Sequence, residues 1–331
     1  MKLLAIALFI CSLKAGAAET YAYKVPGPEF IEKKNSAVLI TPSTPVKSQD
    51  GIGLCYGFSS TSLLETFRCK EMNLDCNDPK EFLSTFDVTS HYKSGGLEEG
   101  GQASRILSSI ASSHPKIAYE SCARFSTLVH QNQNEGKAWH YLTNIWTEFK
   151  NNPKENNCIS CLADSVKTRL GHIKTPAGQI EEAFKTAKTV EEFLYKTILP
   201  SECLDDSQMA AVPEFAAYTY PSLKEKFDED KLKEKIVSLL SAGIPVEIGI
   251  CADRTYTENC ENRQGHSIAL YGIKEVCSKR TKECRKLVKV KNSYGEGWQK
   301  RFNDGWLDMD TLVKSSVSFA TFDNISWIQK K

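Results

Sequence analysis

Three residues far apart in the chain carry side chains suited to nucleophilic acyl chemistry: Cys55, His266 and Asn292. Cys55 stands at the start of a stretch that reads as a helix over 54–69, in which Phe58, Leu63, Leu64 and Phe67 share an apolar face. A thiol at a helix N-terminus meets unpaired N–H groups and the positive end of the macrodipole, and both favour the thiolate. Gly51 and Gly53 precede it, where the backbone can approach a substrate closely. A thiolate nucleophile also needs a base. His266 opens an alternating run, 266–272, that suits a strand with His266, Ile268 and Leu270 on one face. Asn292 ends a second such run, with Val288, Val290 and Asn292 on one face and Lys289 and Lys291 on the other. Its side chain is placed to accept a bond from the second ring nitrogen of His266 and so to orient the base.

The elements that must position these groups follow from local signals. Pro26, Pro28, Pro42 and Pro45 keep the segment 19–44 extended. Asn77-Asp78-Pro79 starts a helix, and Gly95-Gly96 and Gly100-Gly101 bound a glycine-rich loop that leads into another helix over 102–112. Residues 124–202 read as a helical block. Ala138, Leu142, Ile145, Trp146 and Phe149 keep helical spacing, and Thr189 with Glu192 forms a capping box. Further on, an amphipathic helix over 230–242 precedes strands at 245–250, 266–272 and 287–292, with a hairpin around Cys277 and Cys284.

The chain has 331 residues, 41% hydrophobic and 25% charged, which is ordinary globular composition with room for a two-lobed core. Lys2, the apolar run Leu3 to Leu13 and the small residues Ala15-Gly16-Ala17-Ala18 form the three parts of a signal peptide, with cleavage expected after Ala17 or Ala18. The protein is therefore expected to be exported, secreted or periplasmic. No later stretch is apolar enough for a membrane span. The formal charge is +1, and −1 once Lys2 and Lys14 leave, so there is no electrostatic case for nucleic acid as a partner. Twelve cysteines in an exported chain imply disulfides. Cys11 leaves with the signal peptide, and the remaining odd number leaves one unpaired. Spacing suggests Cys69–Cys76, Cys251–Cys260 and Cys277–Cys284, and Cys122, Cys158, Cys161 and Cys203 can form two more pairs. Cys55 is then left over. Cys158-Ile159-Ser160-Cys161 is a lone C-x-x-C, read as a structural disulfide rather than a redox or zinc motif. His91, His114, His130, His140 and His172 show no paired metal spacing, and Asn324-Ile325-Ser326 is a glycosylation sequon.

Three segments resemble the papain-like cysteine peptidase family. Residues 44–59, Thr44 through Gln49 and Cys55 to Ser59, resemble the segment around its nucleophile. Gly265-His266-Ser267-Ile268-Ala269-Leu270-Tyr271-Gly272 is similar to its histidine segment, and Val290-Lys291-Asn292-Ser293-Tyr294-Gly295 to its asparagine segment. The resemblance covers roughly 40–123 and 228–310, and the block 124–202 has no counterpart. It implies an α+β, two-lobed fold: a helical lobe (about 45–123) carrying the Cys helix, a helical insertion (about 124–202), and an antiparallel β-barrel-like lobe (about 203–331 plus 19–44) carrying His and Asn, after a signal peptide at 1–18. It implies a thiol protease with a Cys55–His266–Asn292 triad, with Gln49 donating into the oxyanion hole beside the Cys55 N–H. It implies substrate contacts at Gly53, Leu54, Gly100, Gly101, Gly265 and Trp298, with no metal or cofactor. The expected partner is a protein or peptide substrate, and the expected state a monomer.

Departures from the family pattern matter. Ile52 replaces a cysteine that is normally bridged, and Leu54 replaces a small residue, which is expected to narrow the cleft. Tyr56 and Tyr294 each stand where a tryptophan is usual; at 294 the tryptophan shields the His–Asn bond. The stretch left before Cys55 after signal cleavage is expected to have no room for a separate inhibitory prodomain. Two other functions compete: a catalytically impaired peptide-binding module, and a related cysteine amidase or acyltransferase acting on cell-wall or cross-linked peptides.

Overall fold

A computed structural model describes residues 24–92, 96–113, 115–125, 137–152, 158–222, 225–251, 265–317 and 324–331. The expected signal segment, Cys260, His114 and His130 lie outside the described residues. In chain order the helices are α1 (Cys55–Met72), α2 (Thr85–Ser90), α3 (Ala103–Ser113), α4 (Lys137–Asn151), α5 (Ile159–Arg169), α6 (Ala177–Thr186), α7 (Val190–Ile198), α8 (Glu229–Ser241), α9 (Glu296–Arg301) and α10 (Met309–Val317). The strands are β1 (Phe30–Glu32), β2 (Val38–Leu39), β3 (Ile117–Ala118), β4 (Met209–Ala210), β5 (Phe215–Tyr220), β6 (Val246–Cys251), β7 (Gly265–Ser278), β8 (Cys284–Lys291), β9 (Trp306–Asp308) and β10 (Ile325–Lys330). The chain is thus a mixture of helices and antiparallel sheet. None of the helices is long and apolar enough to cross a membrane.

α1 is the central helix. Fourteen of its eighteen residues are buried, so it is enclosed nearly all round rather than amphipathic with one apolar face. Its polar side chains find partners inside, apart from the Glu65 Oε2 atom. Ser60 and Thr61 donate to the carbonyls of Tyr56 and Gly57, each at 2.7 Å. Glu65 accepts from Lys47 at 2.7 Å and from the Leu83 N–H at 2.8 Å, and Arg68 pairs with Glu81 at 2.7 Å. Such pairing lets polar residues enter a core without stranding a donor or charge. The helix ends on Asn73 in the left-handed region, and the Cys69–Cys76 disulfide pins its exit. The helix expected from Asn77 is only a single 3₁₀ turn, Pro79–Glu81.

The main sheet runs β5-β10-β6-β7-β8-β9, with β1 and β2 added along β7. The register pairs Ile250 with His266, Val246 with Leu270, and Leu270 with Val290, then shifts at a bulge before Gly272. β5 and β9 do not pair, so the sheet is open among the described residues and the expected barrel-like closure is not seen. The Cys277–Cys284 disulfide closes the β7–β8 hairpin as expected. On β8 the expected alternation holds: Val288 and Val290 are buried, while Lys289 and Lys291 are partly exposed.

The helices α4 to α7 pack on one another through rings, with Phe184 4.6 Å from Phe193 and 5.2 Å from Phe149 between centroids. Thr189 caps α7 by accepting from the Glu192 N–H at 3.2 Å. The Cys122–Cys203 disulfide ties the two ends of this block together. Bonds that dock it on the rest of the molecule include those from Tyr195 Oη to Asp87 Oδ1 at 3.0 Å and from the Leu97 N–H to the Glu191 carbonyl at 3.0 Å.

Candidate active site

Leu54 is the N-cap of α1 and makes no side-chain cap, so no side chain competes for the N–H groups of the first turn around Cys55. Leu54 is also fully buried. Its side chain therefore packs into the core and does not narrow a cleft, which corrects that expectation; only its backbone is left for a substrate. Ile52 is likewise core.

Cys55 is the one free cysteine among the described residues. Cys69–Cys76, Cys122–Cys203, Cys158–Cys161 and Cys277–Cys284 are bridged. Cys251 is also disulfide-bonded, and its expected partner Cys260 lies outside the described residues. Burial pushes the Cys55 thiol up to about 11, while N–H groups of Ser267 and Tyr56 pull it down and the Glu247 carboxylate adds a further upward push. One turn along α1, Ser59 Oγ lies 2.5 Å from Ser267 Oγ, so the face of α1 that carries Cys55 and Ser59 meets β7.

His266 is 5% exposed, and burial lowers its pKa to about 4, with the bond to Asn292 opposing. His266 Nε2 is 2.8 Å from Asn292 Oδ1. The same Oδ1 accepts the Tyr294 N–H at 3.2 Å, which fixes the orientation of the amide. An amide oxygen only accepts, so Nε2 carries the proton and Nδ1 is left as the acceptor. Tyr294 stacks on the imidazole at 4.4 Å between ring centres and 16° between planes. Asn292 is held by Gln299, whose Oε1 accepts the Asn292 N–H at 3.3 Å and whose Nε2 donates to the Val290 carbonyl at 2.9 Å.

Gln49 is brought to the same place. Its N–H donates to the Ser293 carbonyl at 2.7 Å, and the Ser293 hydroxyl donates to its Oε1. Its Nε2 spends one N–H on the Ile52 carbonyl at 2.8 Å, which leaves the second. The glycine-rich segment is clipped to the residues before Cys55. The Gly100 N–H donates to the Gly53 carbonyl at 2.9 Å, and Tyr56 Oη donates to the Glu98 carbonyl at 2.5 Å. A Cβ on Gly101 would come within 2.5 Å of the Tyr56 ring, so only glycine fits there. Gly265 is exposed at the start of β7. Trp298 stacks on Phe302 at 4.7 Å.

Sequence reasoning missed Ser267, Glu247, Ser293 and Gln299. Glu247 Oε1 accepts from Ser267 at 2.7 Å and Oε2 from Ser326 at 2.6 Å, and all three residues are buried. A glutamate one residue into a strand core is a signal that could have flagged it. Glu275, Cys277 and Cys284 bring three potential metal-ligand atoms together, but both sulfurs are in a disulfide. The sequon residue Asn324 is 3% exposed, and its Nδ2 donates to the Ser316 carbonyl at 2.8 Å, so the nitrogen that would carry a glycan is occupied.

No protein-family profile matches the chain, and no curated protein matches it. Among solved structures it is similar to digestive procathepsin L 3 of the Tenebrio molitor larval midgut, at 14% identity over 94% of this chain and 75% of that one, with a TM-score of 0.43. It is also similar to xylellain, a cysteine protease from Xylella fastidiosa, at 12% identity over 95% of this chain and 97% of that one, with a TM-score of 0.47.

Proposed function

We propose that this chain is an exported cysteine peptidase that hydrolyses peptide bonds through a thioester on Cys55. What supports the reading is a free thiol on a helix N-terminus, an imidazole held through Nε2 by Asn292 at 2.8 Å, and the contact of Ser59 on α1 with Ser267 beside that imidazole. Burial keeps the resting thiol and imidazole neutral. As Cys55 Sγ attacks the carbonyl carbon, its proton moves to His266 Nδ1, and the two new charges offset each other's burial. The Cys55 N–H and the second Nε2 hydrogen of Gln49 are the donors for the developing oxyanion. His266 then gives the proton to the leaving amine, the C–N bond breaks, and water, deprotonated by His266, releases the acid and restores the thiol.

The reading is tested by hydrolysis of a fluorogenic peptide library. Wild-type protein is expected to cleave, and Cys55→Ala, folded by circular dichroism, to lose all cleavage. Full activity in that variant overturns the reading. The impaired-binder reading loses one support, since the buried Leu54 side chain does not block substrate access.

A further inference from the structure

We infer that Glu99 makes the acyl side of the proposed site selective for a substrate whose residue just before the cleaved bond is basic, lysine or arginine. The inference rests on the peptidase reading above and adds a substrate class to it.

Chemistry fixes which side of Cys55 each half of a substrate occupies. The leaving amine takes its proton from His266, so the residues after the cleaved bond pass on the β7 side. On α1 that is the face of Cys55 and Ser59. Tyr56 lies about 100° further round the helix, and its hydroxyl meets the backbone of the segment 96–101. The acyl half of the substrate therefore runs where residues 51–54 meet that segment.

Glu99 occupies this junction. Its Oε1 accepts the Gly53 N–H at 2.8 Å, two residues before the nucleophile. A Cβ at position 53 would be 3.1 Å from the Glu99 Cβ and 3.4 Å from Oε1, so the glutamate lies across the glycine backbone. Its charge acts on the Tyr56 phenol beside the nucleophile, together with that of Glu98. Glu99 is exposed, and among the described residues it forms no ion pair. The bond to Gly53 holds one oxygen and leaves the negative charge uncompensated at the mouth of the acyl side. A cationic side chain there gains an attraction that a neutral one lacks, and an acidic one meets repulsion.

The competing view is that Glu99 only clips two backbone segments together. Glu99→Gln separates the two, because glutamine keeps an oxygen for the Gly53 N–H and loses the charge. The readout is the ratio of kcat/KM for two fluorogenic peptides that differ only in arginine or glutamine before the cleaved bond. Wild-type protein is expected to favour arginine about 3- to 10-fold at low salt, less at high salt. Glu99→Gln is expected to bring the ratio close to one, and Glu99→Lys to invert it. Cleavage with the same ratio in wild type and Glu99→Gln overturns the assignment of Glu99 while leaving the peptidase reading intact. Wild-type protein that cleaves no peptide overturns the peptidase reading, and this inference with it.

Discussion

His266 Nε2 and Asn292 Oδ1 lie 2.8 Å apart beneath the ring of Tyr294, which stacks on the imidazole. The amide oxygen selects the tautomer in which Nδ1 is unprotonated, the form able to take a proton from a thiol. Asn292→Ala frees the ring to rotate and to change tautomer. It is expected to lower kcat/KM by about 10²-fold with little change in KM. A loss smaller than twofold would mean that the bond does not orient the base.

Burial of His266 also links stability to pH. Its folded pKa of about 4 lies below the unfolded value near 6.5, so between these pH values the unfolded chain binds more protons. This contribution to stability is complete above about pH 6.5 and is lost as pH falls toward about 4. In urea titrations, His266→Gln is expected to flatten the fall in unfolding free energy across that window. An unchanged slope would show that the ring is not buried in its neutral form.

Glu247 pushes the Cys55 thiol up while it accepts bonds from Ser267 and Ser326. Glu247→Gln removes the negative charge and keeps one accepting oxygen. The midpoint of the pH dependence of iodoacetamide alkylation at Cys55 is expected to move to lower pH. A midpoint that stays in place or rises contradicts the electrostatic role.

The disulfides are expected to differ in weight because they close loops of different length. Cys122–Cys203 spans a sequence separation of 81 and Cys158–Cys161 one of 3. Replacing the first pair by serine is expected to cost ~4 kcal/mol of unfolding free energy, and replacing the second under ~2 kcal/mol. Equal losses would point to strain or packing rather than loop closure as the dominant effect.

Much of the site was legible in the sequence because each part is a local pattern. Glycines before Cys55, alternation ending at Asn292 and an odd cysteine count are visible without a fold. The surroundings were harder to read. α1 looked amphipathic, yet its polar residues are buried too, since Glu65, Arg68 and the hydroxyls find partners that are far away in sequence or on the helix backbone itself. Leu54 looked like a cleft residue because of its position beside Cys55, but a helix N-cap can turn its side chain into the core, and this one does. The network of Ser59, Ser267, Glu247 and Ser326 joins four separate segments, so no window of sequence contains it.

The central claim is that Cys55 is a nucleophile activated by His266. Reaction with a peptidyl epoxide, followed by mass-spectrometric mapping of the adduct, tests it most directly. The account predicts one adduct per chain, on Cys55, with hydrolysis lost in step with labelling and with labelling much slower in His266→Ala. A folded protein that goes on cleaving peptides with Cys55 fully modified, or whose Cys55 labels at the same rate without His266, would contradict it.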